Sequence, residues 1–291
     1  MLGRIVKFVV GAALAVSVSG CAVSLNSLTF AINADASLGD ACRPINGVQR
    51  AFATSRLVMF GEVHGTREMP TFVGDAACHA VRHFGEVTVY LELREDSQPL
   101  IDTMAAGGDG TDLRLWMSNV GYGIGSEAMF DLLRRLCELT KAGYRVKIVA
   151  MDKSFLRANQ NDIDRDAVMA RHIREGMRRS SGAHLVLAGN FHTIRRKLSS
   201  YVPAALHLED LKPLTLLGSP SGGFAWNCRG TAPSDCGANQ APQWAEKIVD
   251  IAPWSIVLVA DRPEAVPDRL KGYDGVFTVG VASASPPLSA N

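Results

Sequence analysis

Polar residues able to bind a metal ion or move protons lie two positions apart at three points in this sequence. The pairs are Glu62 with His64, Glu92 with Arg94, and Asn190 with His192. In an extended segment this spacing puts both side chains on the same side. Two histidines and two carboxylates in one crevice can hold a divalent metal ion. Alternatively, a carboxylate can orient a histidine that acts as a general base on water or an alcohol.

These segments supply two groups of candidate site residues. The candidate catalytic residues, which would also be the ligands if the protein depends on a metal, are Glu62, His64, Glu92 and His192. The candidate substrate-binding or supporting residues are Glu68, Arg94, Asp152 and Asn190. Taken alone, His64 could be a hydrogen-bonded surface residue, and Glu68 could be a first-turn acid that stabilises a helix N-terminus. The functional interpretation therefore depends on these segments meeting in the fold.

Apolar runs of strand length alternate with amphipathic helical patterns along most of the chain. The predicted strands are 57–60, 87–93, 146–151, 184–188, 214–217, 255–260 and 276–279, and the predicted helices are 46–54, 68–83, 98–104, 126–142 and 163–179. Apolar strands separated by helices are typical of a parallel sheet buried on both faces. We predict a three-layer α/β/α domain with a mainly parallel central sheet, to which the C-terminal third can add antiparallel edge strands.

Polar residues follow the ends of the first four predicted strands. The first strand runs into Glu62 and His64, the second ends at Glu92, the third ends at Asp152, and the fourth runs into His192. In an open parallel sheet, ligands bind in the crevice beyond the carboxyl ends of the strands. We therefore expect these four strands to deliver their polar residues to one shared crevice.

The first twenty residues have the layout of a secretory signal. Arg4 and Lys7 precede an apolar stretch over 8–18 and a small-residue exit before Cys21. The apolar stretch is shorter than the roughly 20 residues that a membrane span needs. The tetrapeptide Val18-Ser19-Gly20-Cys21 resembles a bacterial lipobox, in which the cysteine is lipid-modified and anchors the protein to a membrane. The alternatives are an ordinary secreted protein and an uncleaved N-terminal anchor.

This layout predicts the organisation of the chain and its location. We expect a signal peptide over 1–20, a lipid-anchored tether over 21–44, one α/β domain over 45–282 and a frayed tail over 283–291. The expected location is the bacterial cell envelope. Cleavage would remove two of the 30 basic residues and none of the 29 acidic ones, leaving a net charge near −1. Such a chain has no basic field for nucleic acid.

Export to an oxidising compartment permits disulfides among the cysteines after the lipobox. Cys228 and Cys236 flank a segment rich in Gly, Pro and Ser and form the predicted pair. Of the other three, Cys78 and Cys137 lie in helical patterns that lead into successive strands and could face each other, whereas Cys42 lies within the predicted tether. An odd number of cysteines leaves at least one thiol unpaired. No two cysteines have the close spacing of a zinc knuckle.

Four sequence blocks together resemble a known family. They are Gly-Glu-Val-His-Gly-Thr-Arg-Glu at 61–68, the strand-terminal Glu92, Arg-Asp-Ala-Val-Met-Ala at 165–170, and Ala-Gly-Asn-Phe-His-Thr at 188–193. Within the span of about residues 55–200, they resemble the erythromycin esterase-like group. That group shares a superfamily with the ChaN haem-binding lipoproteins and the TIKI metalloproteases. The resemblance implies a sheet-based α/β fold with Glu62, His64, Glu92 and His192 at the site.

Members of this superfamily use the site differently. Esterase-like members hydrolyse a lactone, with a histidine matching His64 as the base that activates water. TIKI-like members bind a divalent metal and cleave peptide bonds, and ChaN-like members are lipid-anchored and bind haem. The lipobox and short length of this chain match the third branch, whereas the residues after His64 are similar to the first. Family resemblance alone therefore leaves the function open.

Two main hypotheses follow for this chain. The first is a hydrolase of an ester or amide bond in a small molecule or peptide, in which His64 takes a proton from water. In it, Glu62 or Glu92 orients His64 or a metal ion, and His192 polarises the substrate or completes the metal shell. The second is a non-catalytic lipoprotein that binds haem or a metal, with His64, His192 or Tyr122 as an axial ligand. A scaffold that keeps the crevice without using it is a third interpretation.

Overall fold

The structure is a computed structural model that describes residues 42–120, 124–153, 164–199, 201–230, 233–242, 251–261 and 271–289. The predicted signal peptide, the lipobox with Cys21 and the tether up to residue 41 lie outside these residues, as does Tyr122. Within the described ranges, no helix has the length and apolar character needed to cross a membrane.

Strands and helices alternate over residues 48–218, as the hydrophobic pattern predicts. The strands are β1 Leu57–Glu62, β2 Glu86–Arg94, β3 Arg145–Asp152, β4 Ala183–Gly189, β5 Leu214–Gly218, β6 Gly222–Cys228, β7 Cys236–Gln240, β8 Ser255–Leu258, β9 Gly275–Thr278 and β10 Val281–Ala282. The helices are α1 Val48–Thr54, α2 Glu68–Phe84, α3 Gln98–Ala105, α4 Thr111–Ser118, α5 Glu127–Lys141, α6 Arg165–Arg179, α7 Asn190–Thr193 and α8 Ala204–His207.

Seven of these strands form one central sheet in the order β3-β2-β4-β1-β5-β9-β8. All neighbours pair in parallel except β8, which runs antiparallel to β9 at the edge. Helices cover the sheet, so the predicted α/β class, with its mainly parallel sheet and an antiparallel edge strand from the C-terminal third, is confirmed. Because β1, β2 and β4 are adjacent or next-but-one in this order, their carboxyl ends lie close together.

The two faces of the sheet are packed with large apolar side chains. On one face Phe60, Phe72 and Phe277 contact one another, with ring centroids 5.0 to 6.0 Å apart. On the other, Met59 and Tyr90 pack against Met169 of α6. These six side chains are fully buried, and each burial of this kind stabilises the fold by roughly 1.5–3 kcal/mol. The strand ends therefore project from a tightly packed support.

A second, three-stranded sheet contains β6 and β7, on either side of the Gly-, Pro- and Ser-rich segment between Cys228 and Cys236, and the short strand β10. Its order is β10-β6-β7, with β6 and β7 forming an antiparallel hairpin. The predicted disulfide between Cys228 and Cys236 links the two strands of this hairpin and is confirmed. The glycines and serines that suggest a loop obscure the short strands, since their weak hydrophobic period gives no strand signal.

The other cysteines pair differently from the expected arrangement. Cys42 is bonded to Cys78, with their Cα atoms 5.8 Å apart, whereas Cys137 is a buried free thiol. The expectation that Cys78 could face Cys137 is therefore wrong. Cys78 lies on α2 and is joined to the segment that enters the domain, so the disulfide ties the start of the described chain to the core.

The C-terminal segment is not the frayed tail that its Ser, Pro and Ala content suggests. The backbone amide of Ser285 donates to Gly65 O at 2.8 Å, and that of Leu288 donates to Gly125 O at 2.8 Å. The Ser285 side chain is fully buried and accepts a hydrogen bond from the Ala128 amide. These long-range bonds extend the ordered domain to Ser289, beyond the predicted boundary at 282.

Candidate functional site

The residue pair Glu62 and His64 lies where β1 leaves the sheet. Glu62 is the last residue of β1, opposite Gly189 of β4, and its side chain is buried. Nδ1 of His64 lies 2.9 Å from Oε1 of Glu62, so the carboxylate can hold the proton on that nitrogen. The next residue, Gly65, has φ +77° and approaches the backbone of Trp226 so closely that a Cβ atom would collide with it. This turn presents the outer edge of the imidazole to the crevice.

Glu92 reaches the same point from the neighbouring part of the sheet. The pairing of β2 with β3 shifts register between Leu91 and Arg94, which places Glu92 in a bulge. Bulges re-aim side chains at sheet ends. Oε2 of Glu92 accepts a hydrogen bond from the Gly189 amide at 2.7 Å and faces Nε2 of His64 at 3.4 Å. His64 therefore lies between two carboxylates, one on each ring nitrogen.

An arginine that the sequence analysis does not place among the site residues balances these acids. Arg165, the first residue of α6, makes two hydrogen bonds to Asp152, at 2.8 and 2.7 Å. Its guanidinium also donates to Oε1 of Glu92 at 2.5 Å. Both carboxylates are at most 3% exposed. The two-bonded Arg–carboxylate geometry fixes the direction of the guanidinium, whose remaining nitrogen faces His192 at 3.3 Å.

His192 is held on its other side by a second residue missing from the predicted site. Nδ1 of His192 lies 2.8 Å from Oδ1 of Asp166, the same oxygen that accepts from the Ala204 amide. Nε2 of His192 faces Oε1 of Glu92 at 3.5 Å. Glu92 is therefore shared by His64 and His192, one histidine at each carboxylate oxygen.

The sequence contains a pattern around Arg165 and Asp166, but this pattern also fits an ordinary helix start. Asp164 caps α6 by accepting from the Asp166 amide, and an acid in the first turn is common in helices. Both residues lie in one of the blocks that carry the family resemblance. That block, taken together with the acids at the strand ends, is therefore the sequence feature that points to Arg165 and Asp166.

The proximity of these charges shifts the pKa values of the site residues. Burial lowers the pKa of His64, but the charges and hydrogen bonds of Glu92 and Glu62 outweigh it, so the pKa is raised well above 6.5. Burial raises the pKa of Glu92, but His64, His192 and Arg165 hold it well below its usual value. The pKa of His192 is also raised, because its bond to Asp166 and the charge of Glu92 outweigh burial. Glu92 is therefore a fixed negative charge between two basic imidazoles.

The structure brings most, but not all, of the predicted site residues together. Glu62, His64, Glu92, His192 and Asn190 line one cavity, and Asp152 lies behind it, bonded to Arg165. The Asn190 carbonyl accepts from the Tyr273 hydroxyl at 2.5 Å, and its side-chain oxygen accepts from the Gly218 amide at 3.3 Å.

Two predicted site residues lie elsewhere, so their assignment is corrected. The carboxylate of Glu68 accepts a hydrogen bond from the Ser283 amide at 2.8 Å. The guanidinium of Arg94 is bonded to Asp96 at 3.0 and 3.1 Å and lies over the ring of Trp116. Neither lines the cavity. Glu68 begins α2, and Arg94 follows the bulge in β2, so their side chains are directed to local partners.

The cavity at the strand ends has a volume of about 760 Å³, within the range of roughly 300–1,000 Å³ typical of small-molecule sites. The side chain of His64 keeps 32% of its surface exposed toward this space, whereas those of Glu62 and Glu92 are buried. Glu62 and Glu92 therefore contact the imidazole from its buried side. A ligand in the cavity would contact the exposed edge of the imidazole and the guanidinium of Arg165.

The donor set does not fit the predicted metal centre. Among the described residues, no three His, Cys, Asp or Glu side chains are arranged to hold a metal ion. The position that a cation would occupy among the acids is taken by the guanidinium of Arg165, bonded to Glu92 and Asp152. Among the described residues, Glu62, His64, Glu92 and His192 are therefore not arranged as ligands of one metal ion, and arginine and histidine balance the charge of Glu92.

Comparison with solved structures shows likenesses in fold at low sequence identity. A succinoglycan biosynthesis protein matches with a TM-score of 0.60 and 10% identity, over 92% of this chain and 99% of that one. A histidine variant of erythromycin esterase EreC in its open conformation matches with a TM-score of 0.57 and 10% identity, over 85% and 99%. These likenesses show a shared fold.

A third match is too distant to carry an argument. ChaN of Campylobacter jejuni, described with cofacial haem binding, has a TM-score of 0.35 and 13% identity, over 60% of this chain and 85% of that one. No protein-family model matches the chain, and no curated protein is similar to it in sequence.

Proposed function

We propose that this protein hydrolyses an ester or amide bond of a small molecule or peptide with water activated by His64. The observation that carries the proposal is the placement of His64, with Nδ1 held by buried Glu62 and Nε2 directed toward the cavity beside Glu92. A carboxylate that orients a histidine is the arrangement from which general bases act. The fold shared with an erythromycin esterase is consistent with this chemistry, by analogy alone.

In the proposed reaction, Nε2 of His64 takes a proton from a water molecule as the water oxygen bonds to the carbonyl carbon. Glu92 stabilises the imidazolium that forms, because its carboxylate lies 3.4 Å from that nitrogen. The guanidinium of Arg165 lines the cavity and is pre-oriented by Asp152, so it can donate to the carbonyl oxygen as negative charge develops. The proton on His64 then passes to the leaving oxygen or nitrogen as the bond breaks.

His192 has a supporting role in this proposal. Asp166 fixes the orientation of its ring through Nδ1, and Nε2 faces both Arg165 and Glu92. In that position it can polarise the carbonyl together with Arg165. Removal of His192 should lower kcat less than removal of His64, because Arg165 remains to stabilise the oxyanion.

The test is a screen of aromatic and aliphatic esters and amides against the wild-type chain, His64→Ala and His79→Ala. His79 is a matched control, since it lies outside the cavity and faces the carbonyl of Arg43. Turnover lost only in His64→Ala, with circular dichroism unchanged, supports the proposal. Equal turnover by His64→Ala and wild type on a confirmed substrate would refute it. Activity that survives a chelator supports a metal-free reaction.

The haem-binding alternative has less support in the residues. An iron ion would need a ring nitrogen, but both nitrogens of His192 face protein partners, and those of His64 face Glu62 and Glu92. A haem titration decides between the two functions. A Soret band in the wild type that changes in His64→Ala or His192→Ala would favour haem binding over hydrolysis.

We further propose that the domain works at the bacterial envelope surface, held by lipid on Cys21. The support is the lipobox-like Val18-Ser19-Gly20-Cys21 after a short apolar stretch. Labelling of cells with an alkyne fatty acid should mark the wild-type chain and leave Cys21→Ala unmarked. A chain that is unlabelled and recovered entirely in the soluble fraction would contradict the anchor.

A further inference from the structure

The cavity has two regions of different chemistry. At one end lie the charged residues of the strand ends, whereas apolar side chains form most of the remaining wall. The apolar members are Val63, Ile124, Phe191, Ile194, Leu198, Leu217, Pro242 and Tyr273. Ile194, Leu217 and Tyr273 belong to one packed cluster and are 4 to 8% exposed, so this part of the wall is firmly supported. A ligand that fills the cavity must therefore have a sizeable apolar part.

Phe191 adds to this apolar region from its mouth. Its side chain lines the cavity but is 64% exposed. The Phe191 carbonyl accepts from the Tyr201 hydroxyl at 3.3 Å, which holds the backbone of this residue in place. A solvent-exposed aromatic ring at the mouth of an apolar cavity is typical of sites that bind apolar ligands.

Two consecutive arginines follow α7, and their surroundings differ. Arg195 is paired with Asp274, and Asp274 also accepts from the Thr215 amide at 2.8 Å. Arg196 lines the cavity and is exposed. Across the described parts of the chain, no carboxylate forms an ion pair with Arg196. A guanidinium without a carboxylate partner therefore borders the apolar region of the cavity.

We propose that the cavity binds an amphipathic ligand whose apolar body carries an oxyanion, a carboxylate or phosphate, and that Arg196 binds that oxyanion. Applied to substrates, the inference rests on the proposed hydrolase function, and it makes the preferred substrate an anionic amphipathic ester or amide. Arginine suits the role because its planar guanidinium can donate two parallel hydrogen bonds to a carboxylate or phosphate. The charged residues at the strand ends would contact the scissile bond, while the apolar wall of the cavity packs against the apolar part of the substrate.

The first test measures binding and needs no turnover. Isothermal titration calorimetry compares decanoate, decyl phosphate and decanol on the wild type, Arg196→Gln and Lys197→Gln. Lys197 is the matched control, because it is the adjacent exposed cation and does not line the cavity. Each variant removes one positive charge, so a general electrostatic effect would appear in both.

We expect the wild type to bind at least one of the two anions more tightly than decanol, by about tenfold. Arg196→Gln should lose this preference while its affinity for decanol stays unchanged, and Lys197→Gln should keep it. The stronger of the two anions identifies carboxylate or phosphate as the group that is recognised. Equal binding of decanol and both anions by the wild type, or an anion preference that survives in Arg196→Gln, would overturn the inference.

The second test measures turnover with two chromogenic esters of equal chain length. They are the mono-p-nitrophenyl ester of octanedioic acid, which is anionic, and p-nitrophenyl octanoate, which is neutral. We expect kcat/KM to favour the anionic ester in the wild type and in Lys197→Gln but not in Arg196→Gln.

The two tests separate this inference from the proposed function. Hydrolysis that depends on His64 but shows no preference for the anionic ester would leave the function standing and overturn the substrate class. Decanoate or decyl phosphate binding that depends on Arg196, with no ester hydrolysed, would support the anion site and contradict the hydrolase.

Discussion

Nε2 of His64 lies 3.4 Å from Oε2 of Glu92, on the side of the imidazole opposite Glu62. The Glu92 carboxylate is held in place, because the Gly189 amide donates to the same oxygen and Arg165 donates to the other. A proton on Nε2 therefore meets a fixed negative charge. The basicity of His64 is consequently a property of the assembled site, and it can be measured.

The raised pKa of His64 predicts the direction of the pH profile. Only the neutral imidazole can accept a proton from water. We therefore expect kcat/KM to rise with pH through a midpoint above 6.5, as His64 loses its proton, and to be low at more acidic pH. In Glu92→Gln the residual activity should show a midpoint moved to lower pH, because the charge that favours the imidazolium is gone. NMR titration of the His64 ring measures the same shift. An unchanged midpoint in Glu92→Gln would contradict this account.

Arg165→Ala should destabilise the protein as well as inactivate it. Glu92 and Asp152 are at most 3% exposed and would lose their cationic partner. Breaking a buried ion pair in this way costs about 3–5 kcal/mol of unfolding free energy. Urea unfolding measures the loss. Arg171→Ala, on the same helix and 58% exposed, is the control and should change stability by less than about 0.5 kcal/mol. Similar losses in both variants would show that Arg165 does not balance the buried acids.

Gly189→Ala should reduce activity through a direct collision with His64. A Cβ atom at position 189 would lie 2.8 Å from Nε2 of His64, while φ of −54° allows alanine without backbone strain. We expect kcat/KM to fall by about a hundredfold, since a displaced base of roughly 1 Å has an effect of that size. Gly237→Ala is the control, because its Cβ would meet no atom within 4 Å. Full activity in Gly189→Ala would argue against His64 as the base.

The disulfide between Cys42 and Cys78 should contribute measurably to stability. It joins residues 36 positions apart, and a bridge of this kind stabilises a domain by about 2–4 kcal/mol. The double variant Cys42→Ser with Cys78→Ser should show that loss in thermal or urea unfolding, with the pH dependence of any activity retained.

Cys137, which is buried, should react with a thiol reagent only after unfolding. Rapid labelling of Cys137 in the folded protein would contradict its placement.

The sequence by itself determined the layered fold and the strand ends of the site. Apolar runs between helical patterns indicate a sheet buried on both faces, and polar residues follow the carboxyl ends of its first four strands. Because the carboxyl ends of parallel strands border one crevice, Glu62, Glu92 and His192 could be assigned to it before the strand order was known. The pair Glu62 and His64 is local, and its spacing of two is sufficient to predict their contact.

The balance of charge in the site was decided only by the tertiary structure. Arg165 meets Glu92 across 73 positions, and Asp166 meets His192 across 26. In the sequence Asp166 has the character of an ordinary first-turn acid, and Arg165 is one of several arginines in the same helix. The local sequence does not determine the direction of α6, so the contact of the Arg165 guanidinium with the two buried acids could not be predicted.

Side-chain direction explains the remaining differences between the sequence and the structure. Glu68 and Arg94 are close in sequence to site residues, yet the helix start and the bulge turn them toward Ser283 and Asp96. Sequence spacing predicts which way a side chain points only while the backbone is extended. At a helix start or a bulge it no longer does. The polar residues of the crevice are therefore set by the strands. Their partners, and the lack of an ion pair at Arg196 among the described residues, are set by how the helices and loops pack around them.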